Sequence, residues 1–81
     1  MLILREEKII DNDNIIGSNI RRIRLEKGIG QTELVKQLQL MDVDITRETL
    51  VKIESGRQHI KLDQLKKIKS IFDTTYDNFF E

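Results

Sequence analysis

Eighty-one residues can bury only about 60–65% of the unfolded chain's surface, so the sequence encodes one domain with a modest core and little room for an enzyme cleft. The absence of Cys excludes disulfides, zinc fingers and thiol chemistry, and the apolar runs of MLILREEKII are too short for a signal peptide or a membrane span, so a cytoplasmic location is expected. Fourteen basic and fourteen acidic side chains cancel, which by itself counts against a nucleic-acid partner, yet the charge is unevenly placed: two bases against four acids in residues 1–13 (−2), three acids in 73–81 (−3), and twelve bases against seven acids in 14–72 (+5).

In chain order, Met1 to Ile10 fits neither a two-residue alternation nor a 3.6-residue stripe, and a strand, a helix or an arm all remain open. Asp11 to Asn14 is a break, with Asn14 placed to cap a first helix. Ile16, Ile20 and Ile23 share one face of that helix, which runs to Lys27 and is closed by Gly28. Arg21 and Arg22 point outward. Arg24 falls one turn after Ile20, near the apolar stripe, and has two readings: its stem lies along the core edge, or its guanidinium meets an acid inside the domain.

Gly30 can cap a second helix opening at Gln31, with Leu34, Leu38 and Val35 inward. MDVDIT, residues 41–46, does not read as helical. Thr46 can cap a third helix with Leu50 and Ile53 on its inner face, and Ser55-Gly56 stops it. Two short helices, a connection and a Gly stop outline a helix-turn-helix over about residues 31–55. Arg57, Gln58 and His59 read as polar and exposed, and Ile60 and Leu62 return to the core. Leu65, Ile68, Ile71 and Phe72 line a fourth helix with Lys66, Lys67 and Lys69 outside. Asp73 breaks it, and Thr75 can cap a last short helix carrying Tyr76, Phe79 and Phe80.

Catalytic and metal readings are weak. His59 has no second His or Cys with which to build a metal site, so a surface or phosphate-contacting role fits better. Asp42, Asp44 and Glu48 alternate like calcium ligands but lack the Gly and bidentate Glu of such a loop, and helix capping accounts for them. No G-x-S-x-G frames Ser55.

From Ile16 to Phe80 the chain resembles the phage repressor and Cro class of helix-turn-helix domains, the XRE family of bacterial regulators. The likeness rests on IGSNIRRIR, GIGQTEL, ITRETLVKIESGR, LDQLKKIKSIF and TTYDNFF, in that order over about 65 of 81 residues. It implies an all-α, five-helix, lambda repressor-like domain over 14–81, preceded by an extension over 1–13. It also implies that Arg24 pairs with Glu54, that Gln31 opens the second helix against the DNA backbone, and that the third helix enters the major groove. Two features depart from the family pattern. There is no Gly between Gly30 and Gly56, with Val35 where a small residue is usual and a connection about five residues longer, and the chain is neutral, which predicts weak non-specific affinity.

The expected function is sequence-specific binding of double-stranded DNA by a transcriptional regulator, a repressor in the first instance, without enzymatic activity, cofactor or metal. Arg47, Glu48, Thr49 and Lys52 are expected to read bases, and Gln31, Thr32, Arg57 and Gln58 to hold phosphates. A homodimer on a palindromic or direct-repeat site is expected, joined through Leu2, Ile3, Leu4, Ile9 and Ile10 or through Tyr76, Phe79 and Phe80, unless both ends cover the domain's own core. The competing class is a protein-interaction module, antitoxin-like or antirepressor-binding, for which apolar residues on the exposed face of 46–52 would speak. A protein partner or small effector fits either reading.

Overall fold

The computed structural model describes residues 2–5 and 8–81, with side chains from Ile9 onward. Four α-helices form where the apolar spacing predicts them: α1 (Ile15–Glu26), α2 (Gln31–Leu40), α3 (Arg47–Glu54) and α4 (Leu62–Phe72). The helical core is the all-α one expected, with four α-helices in place of the five. The segment Tyr76–Phe79 is a single 3₁₀ turn, because Phe79 drops at once into the core and stacks on Phe72, leaving no room for a full α-turn. The opening residues form an antiparallel hairpin of β1 (Leu2–Arg5) and β2 (Lys8–Asp11), with Leu2 opposite Asp11, Ile3 opposite Ile10, Leu4 opposite Ile9 and Arg5 opposite Lys8.

The helices surround one core. Ile16, Ile20 and Ile23 from α1, Leu34, Val35 and Leu38 from α2, Leu50 and Ile53 from α3, and Leu65, Ile68 and Phe72 from α4 are all buried. Each such side chain contributes roughly 1.5–3 kcal/mol by leaving water. α3 packs against both α1 and α2, α4 against α2, and the 3₁₀ turn against α1. Both chain ends join this core. Ile9 and Phe79 are buried in it, so neither is free for the dimer contact expected of them. Asn19, itself buried, donates to the Phe79 carbonyl at 2.9 Å, and Arg22 donates to the Asn78 carbonyl at 3.1 Å, which latches the C-terminal turn to α1.

All four helices end in one way. The residue after the last turn takes the left-handed conformation, and two crossed main-chain bonds close the end: Gly28 to Leu25 and Ile29 to Arg24 after α1, Asp42 to Gln39 and Val43 to Leu38 after α2, Gly56 to Ile53 and Arg57 to Lys52 after α3, Asp73 to Ser70 and Thr74 to Lys69 after α4. Asp42 thus takes the place that a Gly would take after α2. The long α2–α3 connection is held by the burial of Val43 and Ile45 and by Gln39, which donates to the Ile45 carbonyl at 2.9 Å.

Two expected caps are placed differently. Asn14 occupies the N-cap position of α1 in a left-handed conformation, with no capping bond from its side chain; the Asp11 carboxylate accepts from the Ile16 N–H instead. Thr75 precedes the 3₁₀ turn without a side-chain bond to it. Thr46 does cap α3, accepting from the Thr49 N–H at 3.2 Å.

Candidate nucleic-acid interface

α3 has two faces. Leu50, Ile53 and Glu54 are buried, while Arg47, Glu48 and Ser55 are exposed and Val51 and Lys52 half-exposed. At about 100° per residue, the exposed group falls on one side of the helix, opposite the core. Arg47, Glu48 and Lys52 therefore come together there. Glu48 and Lys52 are linked across one turn at 3.4 Å, a contact of little energetic consequence at this exposure. Thr49 stands to one side, half-buried, its hydroxyl 3.1 Å from that of Thr46.

The helix is held by its inner end. Arg24 Nε donates to Glu54 Oε2 at 2.8 Å, and a second guanidinium nitrogen donates to Oε1 at 3.0 Å. Both residues are 6% exposed. A third Arg24 nitrogen reaches the Ile29 carbonyl at 2.9 Å, and the Gln31 amide donates to Glu54 Oε1 at 3.2 Å. Asn14 adds a bond of 3.1 Å to the Glu54 main-chain carbonyl. One carboxylate thereby fixes α1, the α1–α2 loop and the start of α2 to the end of α3, as bidentate charge-assisted bonds in a dry site can do.

Gln31 thus turns its amide inward rather than toward solvent. Thr32 is exposed in the first turn of α2, where Gly30 supplies no side-chain acceptor, and such an end suits an oxyanion. Beyond α3, Arg57 is exposed, with Nε donating to Ser55 Oγ at 2.9 Å, and Gln58 is half-buried. His59 is not a free surface histidine: its Nδ1 accepts from the Asp11 N–H at 3.3 Å, so it ties the hairpin to the α3–α4 loop. Among the described residues no group of three His, Cys, Asp or Glu side chains could hold a metal ion, and no helix is long and apolar enough to cross a membrane.

Three features of this region escaped the reading of the sequence. Val51 lies on the outward face beside Glu48 and Lys52, and the helical repeat counted from Arg47 would have placed it there. Gly17 lets α1 approach α3 so closely that a Cβ would lie 2.1 Å from the Ile53 carbonyl oxygen. Asn14 packs beneath Gly56, where a Cβ would lie 2.9 Å from the Asn14 amide carbon. No local pattern marks the last two, because the approach is made by a distant element.

A family model described as helix-turn-helix matches residues 20–79. An uncharacterized HTH-type transcriptional regulator of Rickettsia conorii is 32% identical over 78 residues, covering 95% of this chain and 58% of the relative. A regulator of the same description from Rickettsia prowazekii is also 32% identical, over 95% of this chain and 56% of its own. The chain therefore spans somewhat over half the length of these curated relatives. No solved structure matches it significantly.

Proposed function

The chain belongs to the XRE-type helix-turn-helix family of transcriptional regulators, and we propose that it binds specific double-stranded DNA by laying the outward face of α3 in the major groove and represses transcription from that site. The observation that carries this reading is the composition of that face. It presents Arg47, Glu48 and Lys52, whereas the large exposed apolar side chains among the described residues, Leu25, Leu40, Tyr76 and Phe80, all lie off α3. A face built to hold a protein partner would reverse that distribution.

Within the proposal Arg47 takes guanine, Glu48 accepts from cytosine N4, and Lys52 and Thr49 complete the polar contacts. Val51 supplies an apolar surface for a thymine methyl. Thr32, Arg57 and Gln58 hold phosphates at the two ends of the helix pair, and Gln31, its amide turned to Glu54, sets the entry of α2. A homodimer places two α3 helices on half-sites about one turn of DNA apart.

Selection of bound duplexes from a random pool tests the reading. A single enriched motif is expected, Arg47→Ala costing roughly 1–3 kcal/mol and relaxing one base pair, and Arg57→Ala weakening all duplexes alike. Selection that returns no motif, or a motif unchanged by Arg47→Ala, overturns the assignment.

A further inference from the structure

The hairpin carries information about assembly in the parity of its hydrogen bonds. The Ile9 N–H donates to the Ile60 carbonyl at 3.0 Å, and the Asp11 N–H to His59 Nδ1. Both groups therefore point away from β1. In an antiparallel pair the residues alternate between those that exchange main-chain bonds and those that do not. Leu4 opposite Ile9 and Leu2 opposite Asp11 are then the non-bonded pairs, and Ile3 opposite Ile10 and Arg5 opposite Lys8 the bonded ones. It follows that the main-chain N–H and C=O groups of Leu2 and Leu4 face outward, along an edge that no described strand covers.

The inner edge of this small sheet is closed by the α3–α4 loop, and no described strand pairs with the outer edge. Its sequence, Leu2-Ile3-Leu4, carries none of the devices that keep sheet edges apart, neither a charge nor a Pro before Arg5. Two strands of four residues are also marginal alone, and a wider sheet is not.

We propose that β1 pairs antiparallel with β1 of a second copy of this chain, making a continuous four-stranded sheet across the dimer. An antiparallel strand pair is two-fold symmetric, and a parallel one is not, so this edge can be shared between identical molecules as an isologous contact. The outward groups fix the register: Leu2 of each copy exchanges bonds with Leu4 of the other, and the two Ile3 residues face each other on the axis. Four main-chain bonds result. The inference rests on the regulator reading for its choice of a second copy over a foreign strand. The interface is small, and the dimer is expected to associate in the micromolar range in solution, with adjacent half-sites raising the effective concentration on DNA.

The test uses the untagged 81-residue chain. Sedimentation equilibrium up to hundreds of micromolar should show a reversible dimer, and Leu4→Pro, which removes an outward N–H that the hairpin does not use, should shift it to monomer with its circular dichroism unchanged. A second variant does not depend on the fold tolerating Pro. The chain has no Cys, so Ile3→Cys provides one thiol per copy, about 4.5 Å from its mate between Cα atoms and able to oxidise to a cross-linked dimer. Leu4→Cys places the two thiols about 8 Å or more apart and should cross-link poorly. A monomeric wild type, a dimer indifferent to Leu4→Pro, or equal cross-linking at positions 3 and 4 overturns the proposal. Failure of the regulator reading has a separate signature, a wild type that selects no DNA motif while still sedimenting as a dimer through this edge.

Discussion

The Glu54 carboxylate accepts three side-chain hydrogen bonds while almost wholly out of water, and that combination makes it the residue whose loss should be felt most. Removing its charge would leave the Arg24 guanidinium buried beside a partner that can no longer balance it. Glu54→Gln is therefore expected to lower stability by about 3–5 kcal/mol, a large share of what a domain of this size possesses, and urea unfolding would reveal a midpoint indistinguishable from wild type if the pair contributed nothing. Spacing alone left Arg24 between two readings, because the acid that meets it stands thirty positions away in sequence. Only the likeness to a family named that acid. The close approach at Gly17 was not legible, nor was the contact of Asn14 with Gly56, since nothing local distinguishes a helix Gly that admits a neighbouring carbonyl from one that is merely tolerated.

At the scale of elements, the helices were legible from apolar spacing, and their ends were legible where Gly marks them. Gly28 and Gly56 announce the left-handed position; Asp42 fills the same position after α2 without announcing it, at φ 63°. An L-residue other than Gly pays conformational strain there. Asp42→Gly should raise stability by about 0.5 kcal/mol, the relief being partly offset by the freer unfolded chain, and Thr46→Ala should lower it by about 1 kcal/mol through loss of the α3 cap. Thermal melts that moved in the same direction for both variants would contradict this account of the two ends. The hairpin was undecided for a different reason, a strand being one of three readings open for Met1 to Ile10. Its second strand is held by distant groups, the Ile60 carbonyl and the His59 imidazole, which bond to its main chain and leave no mark on the side-chain period.

For the whole molecule, strand β2 belongs to the domain more than an appended arm would. Ile9 is buried in the core and bonds to Ile60, and Asp11 caps α1. Deleting residues 1–10 is thus expected to cost roughly 1.5–3 kcal/mol from the lost burial of Ile9 alone, while the helical circular dichroism at low temperature persists. A truncated chain as stable to urea as the intact one would show that the hairpin is ornamental. The segregation of α3 into an anchored side and an outward side has a consequence for how such a protein can diversify. Outward positions 47, 48, 51 and 52 supply no bond to the Glu54 carboxylate, and substitutions at exposed positions such as 47 and 48 usually alter stability by no more than about 0.5 kcal/mol. Recognition can therefore drift through many side-chain combinations on an unchanged scaffold, and a lineage could acquire new targets without passing through unfolded ancestors.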